Sequence, residues 1–246
     1  MMQEYQLVPY KTTALPVENG PWLVLAPHAD DETFGMGGTL AKAAEAGIAT
    51  HLWVMTDGAL GGTAGDLVQK RQLEALAAAQ VLGITSVQFH HQPDRHLQPN
   101  AALLQRLSME LVALKPSAVF FPGVHEYHPD HRACALLAWS LIQSLGESGP
   151  LAISYEISTQ SPANRLVDIS STMPRKLQAL SVYDSQLGQN NYADVVMALN
   201  KLRTFTLERD VQWAEAFYRF NSDDLRQPLA RWLASTVTAM LETNAG

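Results

Sequence analysis

Between Trp22 and Gly146 the chain switches four times between a short apolar run and a longer segment with helical spacing, and this alternation limits the fold more than any other feature. The apolar runs cover residues 22–26, 49–56, 87–89 and 117–121. Short runs that are apolar at consecutive positions fit parallel strands buried on both faces. The helical segments cover residues 38–46, 66–82, 101–114 and 129–145. Gly47, Gly83 and Gly146 stop three of them and Lys115-Pro116 stops the other. The pattern predicts βαβ units and a mainly parallel α/β sheet with helices on both faces. Beyond it, the spacing predicts strands at 151–158 and 165–169 and helices at 173–182, 191–203 and 224–243. No repeat, low-complexity tract or linker divides the chain. It reads as a single domain, 1–246, with a polar lead-in (1–20), an alternating core (21–146) and a less regular remainder (147–246).

Composition removes several classes of function. The 24 acidic and 17 basic side chains leave a net charge of -7, so no basic footprint for nucleic acid is present. Apolar residues make up 47%, a globular balance. A single cysteine, Cys134, cannot form an internal disulfide and reads as a small core residue. No apolar run is long enough for a membrane span, and the start of the chain lacks a basic segment followed by an apolar one, so a cytoplasmic location is expected. The sequence is compatible with a homo-oligomer.

The eight histidines cluster, and the clusters follow strands. Directly after the first run stands Pro27-His28-Ala29-Asp30-Asp31-Glu32. Adjacent carboxylates raise each other's pKa, and a divalent cation removes that cost. A solvated loop with Asp30 or Asp31 capping the next helix is the plainer alternative. After the fourth run stands His125-Glu126-Tyr127-His128-Pro129-Asp130-His131, with Pro129 suited to a first helical turn. Both loops leave the carboxyl ends of parallel strands, where open α/β sheets bind ligands. Together they offer imidazoles and a carboxylate, the composition of a catalytic zinc site with an open position. Which of the two aspartates would ligate is not legible from spacing.

The pairing of PHADDE with HPDH resembles the PIG-L/LmbE family of zinc-dependent de-N-acetylases. Ala29 stands where that family usually has a proline. Similarity extends to Thr56-Asp57-Gly58, to Arg71-Gln72-Leu73-Glu74 running on to Leu82-Gly83, to Lys176 with Tyr183-Asp184-Ser185-Gln186, and to Ala214-Glu215-Ala216-Phe217. The resemblance implies a Rossmann-like fold and a hydrolase that removes the acetyl group of an N-acetylglucosamine-type conjugate with metal-activated water. It also implies the roles. His28, Asp31 and His131 would hold Zn2+, with Fe2+ as another divalent ion that fits such ligands. Asp30 would be the general base. His128 would stabilise the oxyanion or protonate the leaving amine, with Asp130 orienting it. Arg71 would contact the substrate or the acyl product. The family often has Asp-Gly before a leucine in the loop after the third run, where this chain has Asp94-Arg95-His96-Leu97; Asp94 and His96 are the expected substrate contacts there.

Two other functions compete. A 2-His-1-carboxylate set also serves non-haem Fe(II) oxygenases, but the βα alternation does not suit their β-rich scaffolds. A non-enzymatic sugar- or nucleotide-binding module needs no spare Asp and His beside three ligands. Gly35-Met36-Gly37-Gly38 lacks the spacing of a dinucleotide fingerprint and reads as allowing close approach of the first helix. Trp213, Phe217, Tyr218 and Phe220 read as packing residues.

Overall fold

The computed structural model describes residues 11–62 and 65–242, without the side chains of Glu147 and of residues 237–242. The first ten residues of the lead-in and residue 243, the end of the last expected helix, lie outside the described residues. The chain begins with a short strand β1 (Lys11–Thr13), then alternates β2 (Trp22–Ala26), α1 (Asp31–Glu45), β3 (Thr50–Thr56), α2 (Leu67–Leu82), β4 (Ser86–Gln92), α3 (Ala101–Leu114), β5 (Ala118–Pro122), α4 (Pro129–Ser144) and β6 (Leu151–Tyr155). It continues through β7 (Arg165–Asp168), α5 (Met173–Leu180), α6 (Asp184–Leu187), α7 (Tyr192–Leu202), β8 (Ala214–Arg219), α8 (Ser222–Leu225) and α9 (Leu229–Glu242).

The eight strands form one sheet in the order β1-β7-β8-β6-β5-β2-β3-β4. From β6 to β4 every pairing is parallel. The chain winds outward from β2 through β3 to β4, then returns to the other side of β2 through β5 and β6. The order therefore reverses between β2 and β5, and open α/β sheets form their ligand crevice at that point. Successive residues of β2 are buried on opposite faces: Trp22, Val24 and Ala26 join one core cluster, Leu23 and Leu25 the other. Helices α1, α2 and α5 cover the first face; α3, α4 and α9 cover the second.

Several elements differ from the expectation. The lead-in supplies β1, which pairs with β7 in parallel. Strand β8 runs antiparallel between β6 and β7, in a region where the spacing suggested none. Helix α1 starts at Asp31 rather than Gly38, because a first turn (Asp31 to Gly35) is joined to the rest through a kink at Met36, whose φ/ψ of -142°/20° is not helical. The kink strands backbone groups on both sides, and a buried ion pair serves them. Glu215 of β8 accepts from the Gly38 and Thr39 amides at 2.9 and 2.7 Å. Lys176 of α5 donates to the Phe34 carbonyl at 2.8 Å, to Asn200 at 2.8 Å and to Glu215 at 2.7 Å. Gly35 allows the first turn to lie against the end of β6, since a Cβ there would collide with the Glu156 carbonyl and the Tyr155 ring. The four aromatics near β8 pack: Phe217 meets Phe120, and Phe220 stacks on Phe121 beside Trp139 and Trp232.

Candidate metal centre and active site

The two histidine loops leave β2 and β5, neighbours in the sheet, so both reach the same crevice. The β2 loop is held from below: Thr56 at the end of β3 donates its amide and hydroxyl to the Pro27 carbonyl at 2.9 and 2.8 Å. Asp31 turns back on the loop. Its Oδ2 accepts from the His28 amide at 2.9 Å and lies 3.0 Å from His28 Nδ1 and 3.3 Å from His131 Nε2. Asp30 occupies the N-cap position of α1 but makes no side-chain cap bond. Its φ of 142° is a left-handed conformation that costs a non-glycine residue about 1–3 kcal/mol. Released from capping, the Asp30 carboxylate lines the cavity. Glu32 turns away, bonded to Thr33 and Tyr183 at 2.7 Å each.

From the β5 loop, His128 caps α4 by accepting from the Asp130 amide at 3.2 Å. Its ring meets His28 edge-on at 4.6 Å between centroids and lies 5.1 Å from the His131 ring. Asp130 does not reach His128 with its carboxylate. That group lies 3.2 Å from His28 Nε2 and accepts from the Arg95 and Leu97 amides at 2.6 and 3.1 Å. Asp94 is also directed at His28, at 3.3 Å. Arg71 is buried and holds the loop rather than standing free: it donates to the Ala29 carbonyl at 3.1 Å and to Asp30 at 3.3 Å. Both Arg71 and Asp94 line the cavity; His96 is exposed and outside it. His90 is buried against Trp53 instead.

The charges explain why this cluster suits a cation. Burial works against charge on His131, yet Asp31 and Glu126 outweigh it and hold the imidazole up at about 9. Burial is likewise overcome at His28 by Asp130, Asp31 and Asp94, which keep it well above its ordinary value. Asp31 is held well below the usual carboxylate range by His131 and His28 despite its burial. Protons on two imidazoles thus balance buried carboxylates, a task that a divalent ion performs in their place. The ligand atoms of His28, His128 and His131 lie within 4.8 Å of one another, as do those of His28, Asp94, His128 and Asp130. His131 Nδ1 is buried without a hydrogen-bond partner. Asp30 behaves differently. Burial pushes it up to about 7, with Asp31 adding to the rise and Arg71 opposing it.

One contributor was not singled out from the sequence. Glu126 is buried 3.5 Å from His131 Nδ1 and accepts from the Ile157 and Ser158 amides and the Ser158 hydroxyl. The available signal was a carboxylate five residues before a ligand-type histidine. The cavity, about 510 Å³, is also lined by Tyr127 of the β5 loop and, beyond the two loops, by Gln186, Gln189 and Asn190.

Residues 23–142 match the family described as PIG-L: GlcNAc-PI de-N-acetylase. The chain carries a PIG-L domain. Both histidine loops fall inside the matched segment. Around this PIG-L domain the likeness extends further. A diacetylchitobiose deacetylase of Thermococcus kodakarensis is 28% identical over 190 residues, 68% of this chain and 70% of that one. A probable N-acetyl-α-D-glucosaminyl L-malate deacetylase 2 of Bacillus subtilis is 28% identical over 182 residues, 67% and 82% of the two chains. The solved N,N′-diacetylchitobiose deacetylase of Pyrococcus horikoshii, complexed with an inhibitor, superposes with a TM-score of 0.74 at 25% identity, covering 82% of this chain and 84% of that one.

Proposed function

We propose that this PIG-L domain protein is a zinc-dependent hydrolase that removes the acetyl group from an N-acetylglucosamine-type conjugate. The observation that carries the reading is Asp30: a carboxylate beside an imidazole cluster, free of its capping duty, and poised near neutrality. A general base works best with a pKa near the working pH. His28, Asp31 and His131 would hold the metal. Bound there, zinc supplies Lewis-acid polarisation of an amide carbonyl. Asp30 takes the proton of the attacking water, and Arg71 fixes its carboxylate from behind. His128, half-buried at the mouth, faces the oxygen that gains charge, and the proton taken up by Asp30 passes to the departing amine. Water and amide become carboxylate and amine, with no other reactant. Asp130 positions His28 and the 94–97 turn. Tyr127, 80% exposed at the rim, offers a face for a sugar ring. Among the described residues no helix is long and apolar enough to cross a membrane.

The test is acetate release, with zinc added, across a panel of N-acetylglucosamine conjugates. Asp30→Asn should keep its metal and lose about 10²–10⁴-fold in kcat, with KM little changed. Asp31→Asn should lose metal. If Asp30→Asn retains both metal and full activity, Asp30 is a loop residue and the mechanism fails; if it empties the site while Asp31→Asn stays loaded, the two roles are exchanged.

A further inference from the structure

Arg95 stands out among the residues lining the cavity. Its φ is 61°, in the left-handed region that glycine adopts freely and a residue with a Cβ does not. The turn that imposes this conformation is built into the site: the Arg95 and Leu97 amides both bind the Asp130 carboxylate, and the His96 amide binds the Pro93 carbonyl at 3.1 Å. A glycine would meet the same backbone requirement without strain, so the side chain is the reason to look for a role.

Among the described residues lining the cavity, Arg95 is the arginine without a carboxylate partner. Arg71, the other arginine in the lining, is buried and spent on Asp30 and two carbonyls. Arg95 is exposed, and its Nη2 donates to the Leu60 carbonyl at 3.2 Å. Among the described residues no carboxylate lies within ion-pair distance of it. Its neighbour Asp94 is committed inward, with one oxygen toward His28 and the other accepting from the Leu60 amide at 2.9 Å. The remaining polar side chains beyond the loops are neutral, the amides of Gln186, Gln189 and Asn190 and the hydroxyls of Ser158 and Tyr192, suited to hydroxyls of a substrate. A planar, permanently charged fork at the rim is matched by a planar or tetrahedral oxyanion.

We infer that Arg95 determines specificity by binding an anionic oxygen group, a carboxylate or a phosphate, carried by the amino-sugar conjugate away from its acetamido group. The inference rests on the deacetylase reading above. The substrate class it names is an anionic N-acetylglucosamine conjugate rather than a neutral oligosaccharide.

The experiment compares the zinc-loaded full chain with Arg95→Gly and Arg95→Met on three substrates: diacetylchitobiose (neutral), N-acetylglucosaminyl malate (carboxylate) and N-acetylglucosamine 1-phosphate (phosphate). Arg95→Gly should fold with an unchanged or higher Tm, because it relieves the positive φ. The wild type should favour one of the anionic substrates by about tenfold or more in kcat/KM, and which one identifies the oxyanion. Both variants should raise KM for that substrate about 10–100-fold while leaving diacetylchitobiose within about threefold, the size expected for a charge-assisted hydrogen-bonded pair. The anionic preference should also weaken with added salt. Loss of kcat on all three substrates alike would make Arg95 only a support for the turn and overturn the inference. So would a wild type that prefers diacetylchitobiose. Acetate release from none of the three by the wild type would instead overturn the deacetylase reading itself, and this inference with it.

Discussion

Replacing Lys176 with Met should destabilise the protein by about 3–5 kcal/mol, the usual cost of breaking a buried ion pair from one side. The structure shows where that cost arises. The Nζ group is fully buried and makes three bonds of 2.7–2.8 Å, to Glu215, Asn200 and the Phe34 carbonyl. The bond to the charged Glu215 alone is worth about 1.5–3 kcal/mol, and a carbonyl left unpaired in the core adds about 1–3 kcal/mol. The Met side chain recovers part of this through packing. Glu215 keeps its two amide donors from Gly38 and Thr39, which limits the damage and keeps the variant folded. At about 2–4 °C per kcal/mol for a chain of this size, Tm should fall by about 6–20 °C. Urea unfolding of the metal-free protein measures the free energy; differential scanning calorimetry gives Tm. The double variant Lys176→Met/Glu215→Gln should be less destabilised than the sum of the singles by about 1 kcal/mol or more, since each single leaves a charge without its partner. A loss below about 1 kcal/mol for Lys176→Met, or strict additivity, would refute the claim that this pair holds the kink.

Gly35→Ala should cost about 1–3 kcal/mol by overpacking against the Glu156 carbonyl and the Tyr155 ring; an unchanged urea midpoint would mean that α1 can shift freely. Glu126→Gln should weaken metal affinity about 10–100-fold, read by competition with a chelator, because it removes the charge beside His131; unchanged affinity would make Glu126 an anchor for residues 157–159 only. His90 should give the stability of the metal-free protein an acid limb. Burial, aided by Arg106 and His91, lowers it to about 4, below the ordinary value near 6.5, so the unfolded chain takes up a proton that the folded one refuses. Stability should fall as pH drops from about 6.5 towards 4, and His90→Phe should flatten that fall; identical profiles would show that His90 does not titrate in this range.

What could be read in the sequence was whatever repeats or concentrates. The βα alternation from Trp22 to Ser144 was legible because β2, β3 and β5 are buried on both faces and each helix has its own stop. The metal-type loops were legible because ionisable residues crowd directly behind apolar strands. The kink at Met36 was not, since the groups that stabilise it, Lys176 and Glu215, are distant in sequence and each looks like a surface charge. Strand β8 was hidden for the same reason: Glu215 interrupts its apolar pattern, and the buried Lys176 with the Gly38 and Thr39 amides makes that tolerable. His96 was expected at the substrate because it lies in the right loop, but the turn at 93–96 directs Asp94 and Arg95 into the cavity and leaves His96 outside. Asp130 was expected behind His128 from the family resemblance; the three-residue cap makes the two meet through backbone, freeing the carboxylate for His28.

The position of β8 also sets an order of events during synthesis. Strands β2 to β6 can assemble once Tyr155 has left the ribosome, because every pairing among them lies earlier in the chain. Strands β7 and β1 join that sheet only across β8, whose last residue is Arg219. At typical elongation rates the interval is about 3–13 s. Throughout it β6 presents an open edge to other nascent chains, and the helix that carries Asp31 lacks Glu215. The carboxylate that completes the first helix is thus among the last parts delivered, so a ribosome stalled between these two points holds a sheet with an unguarded side and a first helix not yet fastened.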